Sequence, residues 1–198
     1  MPQAKSPNDD TMARLTGKGV YPHQYARSLL NPLRGLILSN RKLIRRIGLI
    51  SGTTVLELGP GPGYFSVPVA RAIAPGMLLL LDIQPEMLAF ACKRLQAAGC
   101  DNFEASAGDA SALPFDDASV DTVFMVTVLG EVVRPEACIA EVARVLRPNG
   151  LLSISEMRGD PDYIRLADLL TLTAAAGFRQ ERTFRGLLHY TLNTRKPG

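Results

Sequence analysis

Five strand-length runs, at residues 53–58, 77–83, 102–106, 120–128 and 151–155, alternate with segments that read as helices. Runs 77–83 and 120–128 are apolar at most positions, as strands buried on both faces are. Between them, helices are expected at 65–73, 85–98 and 135–146, and from Asp160-Pro161 to Gly177. Pro85 at a first helical position and Gly99 beyond the end bracket one of these. Pro68 is tolerable only within the first turn of another. Runs 179–184 and 188–194, joined by three residues, read as a hairpin. Strands alternating with helices make a doubly wound α/β fold with a mostly parallel, Rossmann-like sheet. The hairpin adds antiparallel pairing at one edge.

A chain of 198 residues suits one domain with a sizeable core. Its longest purely apolar run, 77–81, is far below the roughly 20 residues a membrane-spanning helix needs. The opening MPQAKSPNDD has no apolar stretch behind a basic start, so no secretory leader is expected and the location is read as cytoplasmic. Cys92, Cys100 and Cys138 are odd in number and form no CxxC pair. Reduced thiols are expected, with neither a disulfide framework nor a metal site.

The net charge of +3 hides an asymmetry. Between Thr11 and Leu56 stand Arg14, Lys18, Arg27, Arg34, Arg41, Lys42, Arg45 and Arg46, with no Asp or Glu. The division expected is a flexible tail at 1–19, a basic helical segment at 20–49 and a core at 50–198. The basic segment splits at Asn31-Pro32 into pieces at 23–30 and 33–47. In the second, Leu33, Leu36, Ile37, Leu43, Ile44 and Ile47 can share a face and leave the arginines to water. Such a segment meets an anionic substrate or a membrane surface, covers a pocket, or simply packs. Without interleaved aromatic residues it does not argue for nucleic acid.

The chemistry gathers at strand ends. Gly59-Pro60-Gly61-Pro62-Gly63 follows a strand, precedes a helix and has Glu57 two residues before it. Glycines there permit a tight turn and the close approach of a ligand. The order is GxGxG, not the GxGxxG of dinucleotide-binding folds, which disfavours a nicotinamide oxidoreductase. Asp82 ends the second strand, where an acid can accept from both ribose hydroxyls of an adenosine ligand, or cap the next helix. Asp109, in Gly108-Asp109-Ala110, can accept from an adenine amino group or form a turn.

The segments VLELGPGPGYFS, LLLDIQPEML, GDASALPFDDASVDTVFMV and EVARVLRPNGLLSISE occur in this order. Together they resemble the core motifs of class I S-adenosylmethionine-dependent methyltransferases, over about residues 50–158. The nearest type is the small-molecule and quinone-biosynthesis group. The resemblance implies a seven-stranded sheet with its seventh strand antiparallel. It implies S-adenosylmethionine as cofactor, S-adenosylhomocysteine as product, and methyl transfer by in-line displacement to a small-molecule or lipid-like acceptor. It places Glu57 near the methionine amino group and Gly59, Gly61 and Gly63 against the methionine and sugar. It sets Asp82 on the ribose, Ile83 on the adenine face, Asp109 and the Ala110 backbone on the adenine edge, and Thr127 near the sulfonium.

Relatives often carry a histidine after the fourth strand, where this chain has Thr127-Val128-Leu129-Gly130-Glu131. Glu131, His23 and Tyr25 are the candidate bases, each equally readable as structural. No Asn/Asp-Pro-Pro-Tyr signature follows that strand, so DNA is not the expected substrate. A non-catalytic S-adenosylmethionine-binding regulator of the same fold is the alternative. Peripheral membrane contact through the basic segment also stays open, and the oligomeric state does not follow.

Overall fold

The structure, a computed structural model, describes residues 39–198. His23, Tyr25, the helix expected at 23–30 and the tail at 1–19 lie outside them. Strands β1 (Val55–Leu58), β2 (Leu78–Asp82), β3 (Phe103–Ala107), β4 (Val120–Val126) and β5 (Leu146–Met157) pair in parallel. Strands β6 (Arg179–Arg185) and β7 (His189–Arg195) form the hairpin, and β7 runs antiparallel to both β5 and β6. The seven strands stand in the order β3-β2-β1-β4-β5-β7-β6. The order reverses between β1 and β4, where open α/β sheets bind ligands at the carboxyl ends of their strands.

The period-two alternation of each strand divides the core into two layers. Val55, Leu78, Leu80 and Phe124 face one layer, with helices α1 (Asn40–Ile47), α2 (Ser66–Ile73) and α3 (Pro85–Ala97). Leu56, Leu79, Leu81, Val123, Met125 and Ile154 face the other, with α4 (Pro135–Val145) and α5 (Leu166–Ala175). Pro68 is the third residue of α2, inside the first turn, and Pro85 opens α3, as expected.

Several boundaries differ from the sequence reading. Ser39 is extended and caps α1, accepting from Lys42 N–H at 3.3 Å, so the expected 33–47 helix does not run through it. Leu43 and Ile47 are buried as expected, but Arg46 turns inward. Its guanidinium donates to Thr191 at 2.9 Å and lies 5.4 Å from the Phe184 ring centroid, while its carbonyl accepts from Asn193. The cation thus docks α1 on β7 and is not left to water. Strand β4 stops at Val126 because Thr127 adopts a φ of 53°, which ends extended pairing. Helix α5 begins at Leu166, later than Asp160. Asp160 forms a local turn instead, its carboxylate accepting from Asp162 N–H at 3.0 Å. Cys92, Cys100 and Cys138 are free thiols. Among the described residues no group of His, Cys, Asp and Glu is arranged to hold a metal ion, and no helix is long and apolar enough to cross a membrane.

Candidate functional site

The loop after β1 folds as it does for steric reasons. Gly59 has φ 63°, and a Cβ on it would lie 2.5 Å from a methyl of Val128, beyond β4. Gly63 has φ 79°, and its Cβ would meet the α3 backbone at Ala91, 2.9 Å away. Two of the three glycines are therefore required by packing of the loop between β4 and α3.

Glu57, beneath this loop, is 3% exposed, and the Ser66 hydroxyl at the start of α2 donates to it at 2.6 Å. Burial pushes its carboxyl up to about 8; the Ser66 hydrogen bond opposes this and the Asp82 charge adds to it. Ser66 had no role in the sequence reading, although a hydroxyl opening the helix after a buried acid is the signal that finds it.

Asp82 ends β2 and is 8% exposed. One carboxylate oxygen accepts from Gly61 N–H at 3.3 Å and the other from Gln84 N–H at 3.0 Å. It thus ties the glycine loop to the residue that caps α3. Burial raises its pKa, while the backbone N–H groups of Gln84, Gly61 and Ile83 pull it back. A carboxylate accepts at about four positions, so acceptor capacity remains beyond these N–H groups. Ile83 beside it, just past the carboxyl end of β2, is 55% exposed, an apolar surface free to pack on a flat ring.

Asp109 follows β3. It accepts from Ser111 N–H at 2.8 Å and pairs with Arg134 at 3.5 Å. The Ser111 N–H, with Arg134 helping, lowers its pKa. Ala110 is half-buried against the α4 layer. Glu57, Asp82 and Asp109 thus stand at the carboxyl ends of the adjacent strands β1, β2 and β3, with the glycine loop between the first two. Donors and acceptors spread over such a row suit an elongated polar ligand with a flat ring at one end. A groove of about 810 Å³, lined by Asn40, Tyr64, Val67, Arg71 and Arg94 among others, lies instead on the helix layer.

Thr127 is level with the end of β5. Its N–H donates to the Ser155 carbonyl at 2.8 Å while its φ is in the left-handed region that β-branched residues rarely enter. Such strain gathers at ligand sites. Glu131 closes a single 3-10 turn, Leu129–Glu131, and is half-buried. Glu156, which the sequence places only within the 156–160 stretch after the fifth strand, on the acceptor side, lies inside β5 and is 1% exposed.

A family model described as a methyltransferase domain matches residues 49–185. Malonyl-(acyl-carrier protein) O-methyltransferase of Methylococcus capsulatus is 40% identical over 101 residues, 51% of this chain and 36% of that protein. Ubiquinone/menaquinone biosynthesis C-methyltransferase of Hahella chejuensis is 35% identical over 121 residues, 60% of this chain and 49% of that protein. The chain therefore spans between a third and a half of the length of these relatives. Among solved structures, a SAM-dependent methyltransferase from Aquifex aeolicus superposes with a TM-score of 0.84 at 22% identity, covering 89% of this chain and 100% of that one.

Proposed function

Because the chain belongs to the methyltransferase-domain family, we propose that it transfers a methyl group from S-adenosylmethionine to a small-molecule or lipid-like acceptor. The observation that carries this reading is the row of Glu57, Asp82 and Asp109 on three adjacent strand ends, with exposed Ile83 beside Asp82. These groups match the cofactor part by part. Glu57, beneath the loop, would serve the amino-acid end, Asp82 would accept from the ribose hydroxyls, and Ile83 would offer a face to a purine. Asp109 and the Ala110 backbone would meet the purine edge. Thr127 would line the pocket where the methyl is passed.

S-adenosylmethionine supplies a methyl on a positively charged sulfur, so that a neutral thioether leaves. The protein's task is then alignment and exclusion of water. A base is needed only for an acceptor that must shed a proton, and Glu131, His23 and Tyr25 are our candidates for it. The acceptor would sit beyond Thr127, over β4 and β5. The basic segment at 20–49 would cover it or bring the enzyme to a lipid surface. The relatives named as acting on malonyl-acyl carrier protein and on quinone precursors support acceptors of this kind.

The test uses methyl-labelled S-adenosylmethionine, the protein and a metabolite and lipid extract. Label in the organic or small aqueous fraction is the expected result. Cofactor binding with no transfer from extracts of several sources would favour the regulatory alternative. Absence of cofactor binding would overturn the reading.

A further inference from the structure

Glu156 is one residue beyond Ser155, the last β5 residue paired with β4, and so stands level with Thr127 at the carboxyl end of β4. Strands are roughly 4.8 Å apart, which puts it about two spacings from the β1 line that ends in the glycine loop. It shares the face of β5 with Leu152 and Ile154, toward the α4 and α5 layer. The loops after β4 and β5 pack against each other, since a Cβ on Gly130 would collide with the carbonyl oxygen of Asp162, and the second reaches Glu156 through Ile164. Its carboxyl is held by the Ile164 N–H, yet the buried oxygen Oε1 has no hydrogen-bond partner. A buried polar atom left unpaired is uncommon in a native fold and calls for a reason.

The surroundings indicate what is missing. Asp160, Glu131 and Asp162, all on the covering loops, are near enough for their charges to act on Glu156. Burial first, and these carboxylates next, push its carboxyl up to about 8. Tyr190, whose hydroxyl donates to the Ile164 carbonyl at 2.7 Å, also feels the Glu156 charge. The ring of Tyr163 packs against Tyr190 edge to face at 6.0 Å. Carboxylates beside tyrosine rings are the groups that receive an ammonium, through charge, hydrogen bonds and the ring faces. An apolar group would leave Oε1 unpaired, and an anionic one would meet repulsion from the surrounding carboxylates.

We infer that Glu156, beneath the loops after β4 and β5, marks a subsite for a protonated amine of the acceptor, its Oε1 receiving one of the N–H groups. The inference rests on the methyltransferase reading and narrows its acceptor class to amine-bearing molecules. Glu156 acts here in binding and specificity: the ammonium keeps its proton, and its positive charge draws the Glu156 carboxyl into the ionised form as it enters.

Calorimetric titration of the full chain, saturated with S-adenosylhomocysteine, compares n-hexylammonium, 1-hexanol and hexanoate as probes. The expected result is ammonium binding at least tenfold tighter than the alcohol and no measurable binding of the carboxylate. Glu156→Gln, which keeps shape and removes charge, should reduce the ammonium preference to twofold or less with S-adenosylhomocysteine affinity unchanged. Asp162→Asn, on the covering loop, should reduce it two- to threefold and checks the same point if the first variant folds poorly. Equal affinity for ammonium and alcohol, or a preference that survives Glu156→Gln, would overturn the subsite. Failure of the wild-type chain to bind S-adenosylhomocysteine would instead sink the methyltransferase reading.

Discussion

The Ser66 hydroxyl donates to Glu57 at 2.6 Å, joining the first residue of α2 to the strand that the glycine loop leaves. Both side chains are buried, so neither finds water when the other is removed. Ser66→Ala should cost about 1–3 kcal/mol, the penalty of stranding a buried acceptor. Urea unfolding monitored by circular dichroism measures this directly. A loss below about 0.5 kcal/mol would mean that the loop relaxes and lets water reach the carboxyl.

The same carboxyl makes stability depend on pH in a defined direction. Its pKa is raised from an ordinary 4.5 to about 8, so between those values the folded chain holds a proton that the unfolded chain releases. That contribution is fully present below the unfolded value and is lost as pH rises through the folded one. Glu156, also raised to about 8, acts with the same sign. Each group contributes at most about 5 kcal/mol across the window. Glu57→Gln has no such proton to lose. Unfolding midpoints of wild type and variant at pH 5 and pH 8.5 should show the wild type losing distinctly more. The comparison cancels His189, whose burial lowers its pKa and which acts in the opposite sense in both chains. Parallel pH profiles would show that Glu57 is ionised in the folded chain.

Much of this architecture was legible because burial on both faces writes itself as apolar runs. Leu78 to Leu81 and Val120 to Val126 are read that way, and Pro85 and Gly99 punctuate the helix between β2 and β3. The start of α5 was not, because Asp160-Pro161 looks like a helix cap while the Asp160 carboxylate is spent on a turn. The start of β5 was hidden by Pro148-Asn149-Gly150, which reads as a loop yet falls inside the strand Leu146–Met157. Asp82 and Asp109 were legible as strand-end acids of suitable chemistry, and Ile83 through the family resemblance alone. Ser66 was not, and Glu156 only as part of the stretch after the fifth strand, because the significance of both is burial. A sequence does not state which of 19 acidic residues is sealed from water.

Asp82 serves the loop and, in our reading, the cofactor together. Asp82→Ala removes the acceptor for Gly61 and Gln84 N–H along with that for the ribose hydroxyls. A hydrogen bond to a charged group contributes about 1.5–3 kcal/mol, so S-adenosylhomocysteine affinity should fall roughly ten- to hundredfold. Calorimetric titration with S-adenosylhomocysteine reads it, and circular dichroism checks that the chain still folds. Unchanged affinity would remove Asp82 from the site. Asp82→Asn should retain more affinity than the alanine variant, since the amide oxygen still accepts.

Gly59 and Val128 couple the glycine loop to the segment that carries Thr127. A Cβ at position 59 meets the Val128 methyls at 2.5 and 2.8 Å, and the φ of 63° is itself unfavourable for a side chain. Gly59→Ala should therefore combine backbone strain of about 1–2 kcal/mol with a steric term, and the two are separable. Val128→Ala removes both methyl groups from the collision. The double variant should recover the steric part and keep the strain, giving a coupling energy of about 0.5–3 kcal/mol in a double-mutant cycle. Cofactor affinity should follow the same pattern, because the alanine variant can fit only by moving the loop or by pushing Val128, and Thr127 with it, out of place. Additive effects on stability would mean that Val128 swings away freely, and the close approach would then explain nothing about this glycine.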